Sequence, residues 1–91
     1  MPYQLIYHPE VKEDLSKIPM NIKERIRKAI ETRLMTEPLH FGDPLRKSLQ
    51  GYRKLRVGDY RVIYKILGND QVRILKIGHR KEVYEQIFSR I

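Results

Sequence analysis

Residues 53–65, with the sequence RKLRVGDYRVIYK, concentrate positive charge in a segment that is also typical of a β-hairpin. Five of these thirteen residues are Lys or Arg, and only one is acidic. Arginine stays charged at neutral pH, and its planar guanidinium suits the oxygens of a phosphate. Lysine can accept a proton once it is neutral, and neighbouring cations favour that neutral form. The segment therefore has the residue types to hold a phosphate and to take up a proton beside it.

Gly58-Asp59 fits a two-residue turn, which fixes the cross-strand partners of the hairpin. Val57 then opposes Tyr60, and Arg56 opposes Arg61. Because side chains alternate between the two faces of a strand, one face is apolar and the other is basic. The apolar face, with Arg53 near its edge, is predicted to contain Leu55, Val57, Tyr60, Val62 and Tyr64. The basic face is predicted to contain Tyr52, Lys54, Arg56, Arg61, Ile63 and Lys65.

The predicted Arg56–Arg61 pair breaks a rule of sheet stability, because like charges that directly oppose each other repel. Such violations are expected at functional sites, where a bound anion offsets the repulsion. Two other interpretations stay open. One or more of these arginines could pair with a carboxylate, or the face could be a solvated basic surface without a ligand. On the functional interpretation, Lys54 is the base and the arginines hold the phosphate.

The segment GHRKEVY, residues 78–84, offers further groups for the same chemistry. His79 titrates near neutral pH and can act as an acid or a base, although it could equally be an ordinary surface histidine. Arg80 adds a phosphate ligand. Tyr84 adds a hydroxyl, but it also fits an apolar stripe of the tail. Further phosphate- or RNA-binding residues are predicted at Arg46, Lys47, Arg53, Arg56 and Lys81.

Metal and cofactor chemistry have no support in the sequence. The three histidines, His8, His40 and His79, are dispersed, and there is no cysteine. No G-x-S-x-G, P-loop or G-x-G-x-x-G motif occurs. Metal-free cleavage of a phosphodiester needs an internal nucleophile, which RNA supplies in its 2′-hydroxyl group and DNA lacks. The basic site therefore fits a ribonuclease better than a deoxyribonuclease, with no cofactor.

The net positive charge of the chain comes entirely from its second half. Residues 1–45 carry 7 basic and 7 acidic side chains, whereas residues 46–91 carry 12 and 4, which accounts for the net +8. This asymmetry favours a polyanionic partner, with nucleic acid ahead of an acidic protein and an anionic membrane surface. No apolar run is long enough to span a membrane, and the first ten residues do not look like a signal peptide. A cytoplasmic protein is expected.

The predicted fold class is α+β, in a single domain spanning residues 1–91. Ile22, Ile26, Ile30 and Leu34 recur every four residues, which is typical of an amphipathic helix. We expect an N-terminal strand, a helical hairpin, a long loop over 36–51, and a three-stranded antiparallel meander. These elements form one sheet with helices on one face, and the first strand can join it in parallel. A short C-terminal helix is predicted to place Tyr84, Ile87, Phe88 and Ile91 on one face.

The segments YRKLRVGDYRVIYKI and ILKIGHRKEVYE, in this order and spacing, resemble the RelE/ParE superfamily of toxins from type II toxin–antitoxin modules, the RelE branch most of all. The resemblance implies a RelE-like fold similar to that of microbial ribonucleases. It also implies an endonuclease that cleaves mRNA in the ribosomal A site and inhibits translation. Cleavage would proceed by 2′-hydroxyl attack to a 2′,3′-cyclic phosphate. The implied partners are a cognate antitoxin, mRNA with the ribosomal A site, and operator DNA bound through the antitoxin; no membrane is implied.

The resemblance also implies roles for individual residues. Lys54 matches a catalytic lysine, and Arg61 matches an arginine that binds the scissile phosphate. Arg80 matches the arginine that follows the last strand, and Tyr84 matches a tyrosine that stacks on or contacts the substrate. His79 occupies a place where some members have lysine, and it is the rival of Lys54 as the proton-transfer group.

The chain departs from the pattern at Tyr52, where the best-studied branch has a second lysine. This departure keeps a catalytically weak RNA-binding member of the same fold open as an alternative. A ParE-like inhibitor of DNA gyrase is a further alternative on the shared fold, although the ribonuclease-type residues argue against it.

Overall fold

The computed structural model describes residues 2–91 and contains one five-stranded sheet with the strand order β1-β5-β4-β3-β2. β1 is parallel to β5 and the other neighbours are antiparallel, which confirms the α+β class and the expected parallel first strand. No helix within these residues has both the length and the apolar character needed to cross a membrane. The strands are β1 (Gln4–Tyr7), β2 (Asp43–Pro44), β3 (Arg53–Val57), β4 (Tyr60–Leu67) and β5 (Gln71–His79). The helices are α1 (Val11–Ser16) and α2 (Met20–Ala29).

The predicted amphipathic helix is present and carries the main core. α2 continues through a π-helical segment, Ile30–Leu34, so the four-residue recurrence persists beyond the α-helix. Ile26, Ile30 and Leu34 are fully buried against the apolar face of the sheet. The hydrophobic stripe therefore fixes how α2 lies on the sheet, because burying these side chains removes most of their apolar surface from water.

The hairpin of β3 and β4 has the predicted register throughout. Val57 opposes Tyr60 and Arg56 opposes Arg61. Gly58 has a positive φ of 60°, which glycine adopts without steric cost in such a turn. The assignment of side chains to the two faces is therefore confirmed.

The predicted open basic platform is wrong in one respect, because half of the second face is covered. We call this second face, opposite the helices, the outer face. Tyr52 is only 8% exposed and Ile63 is fully buried, and both lie in a second apolar cluster with Leu75, Val83 and Ile87. The C-terminal segment crosses the sheet here. Apolar residues on both faces of β4 require cover on both sides, as in any buried strand.

The predicted C-terminal helix is also wrong in detail. The tail forms turns and then a short 3-10 helix, Ile87–Arg90. Gln86 has a φ of 56°, in the left-handed region, and this interrupts any continuous α-helix. Only Ile87 of the expected stripe is buried. Phe88 and Ile91 are more than half exposed.

The predicted loop over 36–51 is partly structured and tied to the sheet. It contains β2 and a 3-10 turn, Lys47–Leu49. The Tyr64 hydroxyl donates to the carbonyl oxygens of Pro38 and Phe41, at 2.8 and 2.6 Å. Burial raises the pKa of Tyr64, which keeps this donor protonated. At Gly42, which has a φ of 85°, a Cβ would lie 2.2 Å from the Tyr64 hydroxyl oxygen, so only glycine fits.

Arg53 provides a second anchor for this loop. Its guanidinium donates to the carbonyl oxygens of Leu39, at 3.1 Å, and Gly42, at 2.9 Å. The side chain leaves β3 on the helix side, as its pairing with Tyr64 requires. Arg53 therefore holds the loop in place and lies away from the outer face.

A buried ion pair joins the tail to α1 and to the free edge of β5. β1 pairs with β5 only as far as Ile74. Beyond that point, the Asp14 carboxylate accepts from the backbone N–H of Ile77 at 3.1 Å, and Arg90 donates to the carbonyl of Leu75 at 3.1 Å. Asp14 and Arg90 bind each other through two hydrogen bonds of 2.6 and 2.7 Å. Two side chains thus satisfy backbone groups that a longer β1 would otherwise pair.

Breaking this pair is expected to destabilise the protein strongly. The Asp14 and Arg90 side chains are 8% and 9% exposed, so each single substitution leaves the other charge buried without its main partner. Without Asp14, Arg90 keeps only the longer contact to Glu10, at 3.9 Å. Asp14→Ala and Arg90→Ala should each lower the free energy of unfolding by about 3–5 kcal/mol. Urea denaturation followed by circular dichroism measures the change.

Arg27→Ala is the matched control for these two variants. Arg27 pairs with Glu24 and Glu31 on the solvent side of α2, and all three side chains are about half exposed. Its removal should leave the urea midpoint unchanged, because exposed ion pairs contribute little. Equal losses in the three variants would contradict the role given to the buried pair.

Arg53→Ala tests whether this residue serves the fold. The variant leaves two loop carbonyls without their donor, and it should lower the free energy of unfolding by about 1–3 kcal/mol. Arg56→Ala, on the same strand but exposed, should not lower the thermal midpoint, because its loss only removes the repulsion with Arg61. An Arg53→Ala protein as stable as Arg56→Ala would show that the anchor is dispensable.

Candidate active site

The uncovered part of the outer face holds three cations side by side next to the hairpin turn. Arg56 and Arg61 are direct cross-strand partners, and Lys54 lies two residues before Arg56 on the same face. Within residues 2–91, no carboxylate oxygen lies within 4.0 Å of these three side chains. Pairing with a carboxylate, one of the alternatives open from sequence, therefore does not explain the opposed arginines.

Arg61 is oriented by the hairpin turn itself. Its Nη1 atom donates to the carbonyl oxygens of Gly58, at 3.0 Å, and Tyr60, at 2.8 Å. The side chain is partly buried. A guanidinium has five N–H donors, so most of them remain available for an anion. The turn thus holds the guanidinium in place while leaving donors open to the outer face.

Arg80 extends the same face beyond the end of β5. Its backbone N–H donates to the carbonyl of Asp59 at 2.8 Å, which continues the ladder by one pair. Gly78 on β5 is the partner of Arg61, and Arg80 lies two residues after Gly78. The side chains of Arg80 and Arg61 are therefore on the same face of the sheet. Arg80 Nε lies 3.6 Å from the Asp59 carboxylate, in an exposed and weak pair. An incoming phosphate could replace this partner at little cost.

Tyr84 is brought to the outer face by a close crossing of the chain. A Cβ on Gly78 would lie 3.4 Å from the Cα of Val83, so the tail runs directly over Gly78. Gly78 is the cross-strand partner of Arg61. Tyr84 follows the buried Val83 and is 39% exposed. Tyr84 is therefore exposed on the segment that crosses the outer face, and it is not part of the second apolar cluster.

His79 lies on the other side of the sheet. Its cross-strand partner is Tyr60, and the two rings meet edge to face with centroids 5.5 Å apart. Because Tyr60 belongs to the helix side, the structure does not bring His79 together with Lys54. Nδ1 of His79 accepts from the backbone N–H of Lys81 at 3.2 Å. A neutral ring therefore carries its proton on Nε2, which makes this nitrogen a donor.

The other predicted phosphate ligands fall into separate places. Arg46 and Lys47 are exposed at the 3-10 turn between β2 and β3, and Lys81 is exposed just after Arg80. Arg53 points to the helix side and is engaged by the loop, so its predicted role as a phosphate ligand has no geometric support. Arg56 alone of this group adjoins Lys54 and Arg61 on the sheet.

Two residues of this region were missed from the sequence. Asp43 on β2 is the cross-strand partner of Lys54, which places an acid beside the predicted base. Lys76 faces the outer side opposite Ile63, and its ammonium donates to the carbonyl of Glu85. Burial, with the charge of Arg90, lowers the pKa of Lys76. No sequence pattern marks the two-residue strand that carries Asp43.

Among residues 2–91, no group of three or more His, Cys, Asp or Glu side chains is arranged to hold a metal ion. The outer face offers arginines, Lys54 with Asp43 as its cross-strand partner, and the hydroxyl of Tyr84 on the segment that crosses it. Together these groups can bind a phosphodiester and accept a proton from a hydroxyl group beside it.

Both the sequence and the structure are similar to those of known proteins. The family model described as "ParE toxin of type II toxin-antitoxin system, parDE" matches residues 5–84. The chain is 35% identical to Toxin RelG of Mycobacterium tuberculosis over 89 residues, covering 94% of this chain and 100% of the relative. It is 33% identical to Toxin RelE of the same organism over 84 residues, covering 91% and 87%.

Solved structures agree with these sequence matches. The toxin–antitoxin complex RelBE2 from Mycobacterium tuberculosis contains a chain with a TM-score of 0.77 and 34% identity, covering 88% of this chain and all of that one. The archaeal RelE–RelB complex from Pyrococcus horikoshii OT3 gives a TM-score of 0.68 with 28% identity, covering 91% and 100%. The chain therefore belongs to the RelE/ParE superfamily, as a RelE-type toxin of a type II toxin–antitoxin system.

Proposed function

We propose that this toxin is a metal-independent endoribonuclease that cleaves mRNA in the ribosomal A site and thereby inhibits translation. The observation that carries the proposal is the opposed Arg56–Arg61 pair, which has no carboxylate within 4.0 Å in residues 2–91. A scissile phosphate is an anion that would relieve this repulsion. The matched relatives named RelE and RelG support the RelE branch over other members of the superfamily.

The proposed reaction transfers one proton at each end of a phosphoryl displacement. Neutral Lys54 accepts the proton of the RNA 2′-hydroxyl, and the 2′-oxygen attacks the adjacent phosphorus. Arg61 and Arg80 bind the non-bridging oxygens, where negative charge builds up. The bond from phosphorus to the 5′-oxygen breaks, which leaves a 2′,3′-cyclic phosphate. Because the site is open and His79 lies across the sheet, the departing 5′-oxygen takes its proton from solvent.

The ribosome would supply the substrate geometry that the outer face does not impose. The face is a sheet surface with cations and an exposed tyrosine, so an RNA strand bound there keeps much of its own flexibility. The 2′-oxygen attacks well only when it is held in line with the departing oxygen. We infer that an mRNA codon already held in the A site offers this geometry, and that Tyr84 stacks on one of its bases.

A cognate antitoxin is the proposed protein partner. The similar RelBE2 and RelE–RelB structures are toxin–antitoxin complexes. The 12 basic and 4 acidic residues in the second half of this chain favour an acidic antitoxin segment that covers the outer face. The same antitoxin would carry the complex to operator DNA.

The site residues are tested with ribosomes programmed with a defined codon. Lys54→Ala and Arg61→Ala should each lower the rate of message cleavage by about 100-fold or more, the scale of acid–base and electrostatic groups. Primer extension on the message measures the cut. Unchanged rates in both variants would refute the site, and the absence of a cut at every codon would refute the function.

Two controls sharpen this experiment. Arg73 is an exposed arginine on the outer face at the far end of β5, opposite Lys65, so Arg73→Ala should cleave like the wild type. His79→Ala should lose less than about tenfold, because the ring lies on the helix side. A loss as large as that of Lys54→Ala would make His79 the proton-transfer group.

Inhibition of DNA gyrase is the second candidate, because the matching family model is that of ParE toxins. A supercoiling assay with purified gyrase decides between the two. Under the ribonuclease proposal, the wild-type protein leaves supercoiling unchanged at concentrations that cleave the message. Inhibition of gyrase without RNA cleavage would favour the second candidate. Binding of RNA without either activity would identify a catalytically weak member.

A further inference from the structure

A second cationic site lies beyond the hairpin edge, between α2 and β3. It is a groove of about 320 Å³. Its rim carries four cations and its floor is formed by small or apolar side chains. The rim residues are Arg25, Lys28, Arg33 and Arg56, and the floor residues are Ala29 and Val57. Only Arg56 also belongs to the outer face, so the groove is a separate surface that meets the candidate active site at one residue. We call it the α2 groove.

The α2 groove exists because β3 has a free edge. β2 pairs only with Arg53 and Lys54, so β3 is uncovered beyond Lys54. α2 lies along this edge and buries Ile26 and Ala29 in the core. The neighbouring positions, Arg25 and Lys28, therefore emerge beside the strand. The small side chain of Ala29 leaves the floor open.

The cations of the α2 groove are not neutralised by the protein. None of the lining residues is acidic, and no carboxylate lies within 4.0 Å of the four basic side chains in residues 2–91. The opposite side of the same helix is different. Arg27 donates to Glu24 at 2.7 Å and to Glu31 at 3.1 Å. α2 thus places its paired arginine on one side and its unpaired cations on the groove side.

Two of the unpaired cations are also held in position. The Arg25 guanidinium packs over the hairpin turn, with Nη2 3.5 Å from the point where a Cβ of Gly58 would lie. The Arg33 guanidinium lies 5.8 Å from the centre of the Phe41 ring. Charges that are partly fixed lose less conformational entropy when an anion binds.

We propose that the α2 groove binds backbone phosphates of the RNA strand that occupies the outer face. Arg56 lines both surfaces, so a strand held near Arg61 can pass over the edge of β3 into the groove without leaving the cations. RNA is chosen over an acidic peptide because the groove continues the proposed site of RNA cleavage, and that choice of ligand rests on the proposed function. The groove then positions the strand and takes no part in proton transfer.

The test measures binding without cleavage. The probe is a fluorescein-labelled, 20-nucleotide single-stranded RNA with 2′-O-methyl groups, which lacks the nucleophile and cannot be cut. Fluorescence anisotropy gives the dissociation constant from 50 to 200 mM NaCl. The variants are Arg25→Ala/Lys28→Ala and, as the matched control, Arg27→Ala, with unfolding midpoints recorded for both.

The groove variant should lose two phosphate contacts. The plot of log K against log[salt] should become less steep, with the magnitude of its slope smaller by about 1.4. If the lines of the variant and the wild type meet at 1 M salt, this change corresponds to about 25-fold weaker binding at 0.1 M. Arg27→Ala should bind like the wild type. Unchanged binding by the folded groove variant would overturn the proposal. The proposal would also be overturned if a 15-residue poly-glutamate peptide lost affinity for the variant while the RNA did not.

The outcome of this binding test is independent of the outcome of the cleavage test. A groove that binds the uncleavable RNA in a protein that cuts no message would refute the proposed function and leave the α2 groove as an RNA site. A protein that cuts the message with an unaffected groove variant would refute the groove alone.

Discussion

The buried pair of Asp14 and Arg90 is the constraint on which the site depends. β1 is too short to cover β5 along its full length, and the pair satisfies the exposed N–H of Ile77 and the C=O of Leu75 in its place. Hydrogen bonding to Asp14 raises the pKa of Arg90 further above its usual value, so the charge of Arg90 is never lost. The same contact fixes the end of the tail. The tail that the pair holds also carries Val83, which crosses above Gly78, and the exposed Tyr84.

The two apolar clusters cover the middle of β4 on both faces and leave its end at the hairpin turn open for the candidate site. Near the middle of the strand, residues on both faces are buried, which leaves no room for a ligand. Towards the hairpin turn the outer cover ends, and the opposed Arg56 and Arg61 lie there. The open face is consequently small and lies next to the turn. This placement lets the turn carbonyls of Gly58 and Tyr60 orient Arg61 without any side chain being added for that purpose.

Local patterns were sufficient to predict the hairpin but not its surroundings. Gly58-Asp59 sets the register, and alternation then assigns every side chain from Arg53 to Tyr64 to a face. Lys54, Arg56 and Arg61 are neighbours because of that register, whereas the position of Arg80 depends on the pairing of β4 with β5. β2 could not be predicted, because two residues carry no periodicity, and Asp43 was missed with it.

Long-range pairing explains the remaining differences. Asp14 and Arg90 are 76 residues apart, and no spacing rule connects them. The tail was expected to be helical because Tyr84, Ile87, Phe88 and Ile91 fall on one face at helical spacing, but of these only Ile87 is buried. The left-handed backbone at Gln86 interrupts the helix. The 3-10 turn that follows places Arg90 where it binds Asp14. The side of the sheet on which His79 lies follows from its pairing with Tyr60, which needed the β4–β5 register.

The opposed arginines have a consequence for the free toxin as a folded molecule. Their repulsion acts in the native state, where the hairpin holds them as neighbours, and is much weaker in an unfolded chain. Any anion that binds there therefore removes an intrinsic source of instability as well as adding contacts, and it shifts the folding equilibrium by mass action. The protein is least stable when its site is empty. An acidic partner that neutralises Arg56 and Arg61 therefore also stabilises the fold, because both effects come from the repulsion between these two neighbouring side chains.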